Sequence, residues 1–175
     1  SSVITGKQIS KGEADLYFYV ISKPGVLLNL LKLLRKHSID FNEINFSNYS
    51  GMKTYNLVKI KILSPDSNKI EKMLAEVEDI YHNLPLINTP SNFIRYIRLE
   101  GSANRDQLIE MLGLVLNNNG YLLSGAVKKP FLRKKTMNMD FKIALPAERF
   151  EKAVNAIMRC AVEKKCRPKI TGLKE

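Results

Sequence analysis

One succession of apolar patterns runs through this chain twice, and that repetition limits the possible fold more sharply than any single motif. The run Leu16-Tyr17-Phe18-Tyr19-Val20-Ile21 is rich in aromatic and β-branched residues, which predicts a strand. Lys23-Pro24-Gly25 interrupts it. Val26, Leu27, Leu30, Leu31 and Leu34 then recur at helical spacing, with Lys32, Arg35 and Lys36 on the polar side. Phe41 to Phe46 reads as a second strand, Ser47 to Gly51 as a turn, and Lys53 to Leu63 as a third strand in which Val58, Ile60 and Ile62 alternate with Leu57, Lys59 and Lys61. Pro65-Asp66-Ser67-Asn68 supplies a helix start ahead of Ile70, Met73, Leu74, Val77 and Ile80. Leu84 to Ile87 predicts a last strand, kept at the sheet edge by Pro85.

The second copy begins after the turn-like stretch 88–92. Phe93 to Glu100 predicts a strand, and Asn104 with Gln107 three residues on predicts a capped helix buried through Leu108, Met111, Leu112, Val115 and Leu116. Asn117-Asn118-Asn119-Gly120 stops that helix. Tyr121 to Val127 and a clean alternation from Met137 to Leu145 give two more strands; Pro146 then opens a helix, and Lys169-Ile170-Thr171 closes the set. A shift of 82 lays Ser38 on Gly120 and Leu34 on Leu116. The expected fold is α+β: two ferredoxin-like βαββαβ units, each an antiparallel sheet with helices on one face. The expected division is an N-terminal extension over 1–12, a first unit over 13–87, a linker over 88–92 and a second unit over 93–173. Tyr17, Tyr19, Tyr55 and Leu57 point to the side of the first sheet away from its helices, where we expect a partner to cover them.

Composition narrows the function. The 175 residues are 45% apolar and 26% charged, an ordinary globular balance. No apolar run is long enough to cross a bilayer. Ser1 in place of Met leads us to expect a processed chain or part of a longer one. Cys160 and Cys166 frame no disulfide scaffold, which points to a reducing, cytoplasmic setting. His37 and His82 fall in no nucleophile or metal pattern, and no phosphate-binding glycine loop occurs, so we expect no catalytic residues, no metal and no cofactor. The net charge of +11 is unevenly spread, with +2 in residues 1–90 and +9 in residues 91–175.

Ser22-Lys23-Pro24-Gly25-Val26-Leu27 at a strand-to-helix junction, followed by Ser38-Ile39-Asp40-Phe41-Asn42-Glu43-Ile44, resembles the ACT domain. Pro24, Gly25, Val26 and Leu27 match that family's first loop, and Phe41 and Ile44 match its second strand in character. Ser22, Ser38 and Asp40 replace its usual Asp, Gly and Asn. The second copy is degenerate: Asp106 and Gln107 stand where Pro and Gly belong, and Gly120 where the family has its Gly. The resemblance implies a non-enzymatic regulatory protein that binds a small effector, commonly an amino acid, between ACT units. It implies a ligand site of Ser22, Lys23, Pro24, Gly25, Val26, Leu27, Asp40, Phe41 and Asn42. In it, backbone amides of Gly25, Val26 and Leu27 would meet a carboxylate, Lys23 would add charge, and Asp40 and Asn42 would hold an ammonium. Against this stands a purely structural role for Pro24 and Gly25 in a tight turn.

The densest positive run, Lys128-Lys129-Pro130-Phe131-Leu132-Arg133-Lys134-Lys135, falls on a hairpin of the second unit. Lys128, Lys129, Arg133, Lys134 and Lys135 are either solvated surface charge or a contact for an anionic membrane surface or protein, with nucleic acid ranked behind these. Three readings of function remain open. The chain is a tandem ACT-like effector-binding regulator, homo-oligomeric through sheet edges or faces. Alternatively it is the cytosolic regulatory domain of a larger enzyme or membrane transporter, or it is a nucleic-acid-binding protein using the basic hairpin 128–135.

Overall fold

The computed structural model describes residues 3–50, 54–84, 94–131, 135–163 and 169–173. The chain divides into two compact units between Pro85 and Leu86. Each holds a four-stranded antiparallel sheet and two helices, the ACT-like, ferredoxin-like α+β arrangement expected from the repeat. The linker expected over 88–92 lies outside the described residues.

Unit 1 comprises β1 (Val3–Ser10), β2 (Glu13–Ile21), α1 (Val26–Lys36), β3 (Glu43–Ser50), β4 (Thr54–Leu63) and α2 (Ser67–Asn83). Its strand order is β1-β2-β4-β3. Ala14, Leu16, Phe18 and Val20 of β2 and Val58, Ile60 and Ile62 of β4 are buried on the helix side, as period-two alternation requires. The buried face of α1 is almost entirely leucine, from Leu27 to Leu34. Asp66 caps α2, its carboxylate accepting from the backbone amides of Asn68 at 3.0 Å and Lys69 at 3.3 Å.

Val3 to Gly12 are not an extension but part of the first sheet. Val3 to Ser10 forms a hairpin with β2 through the two-residue turn Lys11-Gly12, where Gly12 adopts φ 76. This strand fills the edge beside β2 that Leu84 to Ile87 was expected to fill. Leu84 instead ends α2 in extended conformation, and Pro85 to Ile87 lie outside the described residues. The second strand also starts later than expected, at Glu43, and continues through Ser47 and Asn48, which pair with Leu57 and Asn56.

Unit 2 comprises β5 (Ile94–Ala103), α3 (Arg105–Asn117), β6 (Tyr121–Lys128), β7 (Met137–Pro146), a short 3-10 turn (Ala147–Arg149), α4 (Phe150–Glu163) and β8 (Lys169–Leu173). Its order, β6-β7-β5-β8, takes the edge strand from the C-terminal side. The expected capping box at α3 is present: Asn104 Oδ1 accepts from the Gln107 amide at 2.9 Å, and Gln107 Oε1 from the Asn104 amide at 2.8 Å. Gly125 leaves room for Phe141, whose ring carbon lies 2.1 Å from where a Cβ would stand.

The ends of α1 and α3 correct the overlay of the two copies. Ser38 and Asn119 take the left-handed conformation, with φ 54 and 58, and the next residue bonds back in each case, Ile39 to Leu34 at 2.9 Å and Gly120 to Val115 at 2.9 Å. Ser38 therefore matches Asn119, not Gly120. Gly120 is required for packing, because a Cβ there would meet Leu145 at 2.7 Å and Val115 at 2.8 Å.

Deleting residues 1–11 should expose the free edge of β2 and destabilise unit 1 by about 2–4 kcal/mol, the sum of several cross-strand pairs. Urea denaturation of the truncated chain checks this. An unchanged midpoint would mean that β1 contributes nothing to the sheet.

Candidate functional site

The turn between β2 and α1 is built around Gly25, which holds φ 79 and ψ 13 and gives α1 no side-chain cap. A residue with a Cβ is strained in that conformation, which accounts for glycine there. The Gly25 carbonyl accepts twice from Asn29, from its backbone amide at 2.9 Å and its Nδ2 at 2.7 Å. Ser22, Lys23, Pro24 and Gly25 are half-buried, whereas Val26 and Leu27 turn their side chains into the core.

Two contacts fasten this turn to the end of α2. The Tyr81 hydroxyl donates to the Val26 carbonyl at 3.2 Å, and burial raises that phenol's pKa above its ordinary value. Lys23 Nζ donates to the carbonyls of Tyr81 at 2.9 Å and His82 at 3.3 Å. Its ammonium thus neutralises the negative end of α2, a different task from the ligand contact expected of it.

Asp40, Phe41 and Asn42 lie elsewhere. Asp40 is exposed and Phe41 is a core side chain. Asn42 is pinned to β4: its amide donates to the Lys61 carbonyl at 2.8 Å, and its Oδ1 accepts from the Leu63 amide at 3.3 Å. β2 runs from Glu13, opposite Leu63, to Ile21, opposite Tyr55. Eight residues of strand, roughly 26 Å, therefore separate the Asn42 end of the sheet from the end where Ser22 leaves it. One unit cannot wrap both halves of the expected site around one small molecule.

Of the basic hairpin, Lys128 and Lys135 are exposed, Lys129 is half-buried and Phe131 is 63% exposed; Arg133 and Lys134 lie outside the described residues. His82 is exposed in the last turn of α2. His37 Nε2 lies 3.2 Å from Glu76 Oε1, and Lys36 Nζ lies 2.8 Å from Glu76 Oε2. Among the described residues no three His, Cys, Asp or Glu side chains gather as a metal site, and no helix is long and apolar enough to cross a membrane.

Asn56 and the notch bordered by Glu43, Asn45, Lys59 and Lys61 were not singled out by residue pattern. Asn56, 2% exposed, occupies a helix-facing position of β4 in register with Val20, and its Oδ1 has no hydrogen-bond partner among the described residues. The clue was an Asn two residues before the alternating Val58, Ile60 and Ile62. On the opposite side of the sheet, Tyr19 and Tyr55 stack with centroids 4.5 Å apart and planes at 13°, while Lys59 Nζ sits 5.6 Å from the Tyr17 ring centre. Glu43, Asn45, Lys59 and Lys61 border a shallow notch there.

No protein-family model matches the chain, and no curated protein matches it in sequence. Solved structures do. Aspartate kinase from Synechocystis superposes at a TM-score of 0.58 with 11% identity, over 93% of this chain and 29% of the kinase. A protein of unknown identity from Galdieria sulphuraria gives 0.42 with 12% identity, over 93% of this chain and 99% of its own. The small subunit of acetolactate synthase from Thermotoga maritima gives 0.32 with 13% identity, over 93% and 98%. The likeness is one of fold. This chain spans under a third of the kinase's length.

Lys23→Met should lower the stability of unit 1 by about 1 kcal/mol, the usual value of a cation at a helix C-terminus, as read from thermal denaturation. An unchanged melting curve would return Lys23 to a ligand role. Glu76 provides a test by pH. Its carboxyl is held below its ordinary pKa, first by the hydrogen bond from Lys36 and then by the charges of Lys36 and His37, against some desolvation. The stabilisation is therefore present above pH 4.5 and lost as pH falls through the lowered folded value. Glu76→Gln should be less stable than the native chain at neutral pH and equal to it in strong acid. A stability difference that stays constant with pH would contradict this.

Proposed function

We propose that the chain is a non-enzymatic regulatory module that binds a small effector, an amino acid, and acts by changing how units or subunits pack. The observation that supports this is the start of α1, where Gly25 leaves the first-turn amides without a capping side chain. Amides in that position, at the positive end of the helix dipole, suit a carboxylate. Asp40 of a second copy of the chain would hold the ammonium, with Asn42 fixing the strand that carries it, because the two halves of the site lie at opposite ends of one sheet. Lys23 and Tyr81 give such a site its output: a ligand on the first turn of α1 acts on the same turn that they fasten to α2. The effector can move the packing equilibrium by no more than its difference in affinity for the two arrangements.

A second form of the same reading makes the chain the regulatory segment of a larger enzyme. Its fold likeness to 29% of an aspartate kinase favours that form.

The experiment is thermal denaturation of the chain with each of the twenty amino acids in excess. At a hundredfold excess over its dissociation constant, the cognate amino acid should raise the melting temperature by about 5–10 °C, and Gly25→Ala should abolish the rise. If no amino acid raises it, the effector is not an amino acid and the proposal fails in that form.

A further inference from the structure

We infer that the side of the unit 1 sheet away from its helices is a self-association surface, occupied by the same surface of a second copy of this chain. The inference is independent of the effector reading, which concerns the helix side and the turn at Gly25.

The two units provide an internal comparison. In unit 2 the corresponding side carries Ile94, Tyr96, Arg98, Glu100 and Ser102 from β5 and Asn138, Asp140, Lys142, Ala144 and Pro146 from β7, so its apolar residues lie at the Ile94 end and its charged residues at the centre. At that centre Arg98 holds Asp140 through two hydrogen bonds, at 2.9 and 2.7 Å, and approaches Glu100 at 2.9 Å. The middle of this face is composed for water. The central strands of unit 1 instead bring Tyr17, Tyr19, Ile21, Tyr55 and Leu57 to this side, with Leu57 40% exposed. Aromatic and aliphatic side chains grouped at the centre of a sheet face, with charge toward one end, follow the composition of an interface core and rim.

Charge selects the occupant. Glu13, Asp15 and Glu43 share this face with Lys59 and Lys61, so it carries three carboxylates against two ammonium groups although the whole chain is +11. A nucleic-acid strand or anionic bilayer requires the reverse excess. A near-balanced face can meet its own copy without a charge penalty, as an isologous contact must. Self-contact through the +9 second half would be repulsive. The area is sufficient: four strands of about nine residues present roughly 500 Å² a side, or about 1,000 Å² between two copies, at the lower limit for a specific interface.

Sedimentation equilibrium of the full chain over a concentration series tests the inference. A reversible dimer is expected. Leu57→Arg, at an already exposed position, should raise its dissociation constant at least about 100-fold, and so should Tyr55→Glu, which guards against one variant failing to fold. Ser102→Arg, on the polar face of unit 2, should leave it unchanged, with circular dichroism verifying that all three variants are folded. A native chain that stays monomeric up to about 0.5 mM, or a dimer that survives in the folded Leu57 and Tyr55 variants, would overturn the inference.

Discussion

Each sheet is organised around a strand that needs a neighbour on both sides: β2 in unit 1 and β5 in unit 2. One side is taken by the second strand of the β-hairpin that follows the first helix, β4 or β7. The other would leave a row of unpaired amides and carbonyls along an otherwise well-formed sheet. Unit 2 fills that row with β8, from the C-terminal side, and unit 1 fills it with β1, from the N-terminal side. Both arrive antiparallel, so the ladder is satisfied in the same way from either end of the chain. The fold persists while the element order is permuted, because the sheet imposes a pairing requirement and not a sequence order.

That pairing in turn positions α1. The helix starts at the Ile21 end of the sheet and delivers the chain to the Asn42 end, so any residue before it and any residue after it are separated by the length of the strands. Ser22 to Leu27 and Asp40 to Asn42 are close in sequence and distant in space for this reason. The start of α1 is also fastened to the end of α2 by Tyr81 and Lys23, so the turn at Gly25 is structurally coupled to the helix layer. A ligand at this turn would not act on an isolated loop.

Much of this was legible in the sequence because burial imposes periodicity. The Leu-rich stripe of α1, the alternation in β4 and β7, and the caps at Asp66 and Asn104 are local patterns with local causes, and each forms where its pattern falls. β1 was not legible because the residues from Gly6 to Ser10 are all exposed, so no buried face imprints an alternation on them. Only the two-residue turn Lys11-Gly12 betrayed the hairpin. The site was legible as residue types and not as a place, since Lys23 carries a charge in any fold but only the packing of α2 against α1 shows which carbonyls it neutralises. A one-residue error in overlaying the copies arose the same way: Gly120 invites the left-handed role by its identity, yet Asn119 takes it, and Gly120 is fixed by the side chains of Leu145 and Val115.

The units therefore differ least where they are buried and most on the sheet side that faces away from the helices. Apart from Asn56 of β4, their helix-facing strand positions are filled by the same apolar types, as one fold demands of both. On the other side the solutions diverge. In unit 2, Asp140 lowers the energy of protonated Arg98 by hydrogen bond and charge, Glu100 adds to this, and Arg98 in return holds the Asp140 carboxyl below its ordinary pKa. The centre of this face therefore carries ion-paired side chains, for which water is a favourable neighbour. The unit 1 face keeps its charges near one end and an aromatic-aliphatic patch across its central strands, so water at that patch is the costlier neighbour. A duplicated fold has thus arrived at one face with ion pairs at its centre and one with aromatic and aliphatic side chains there.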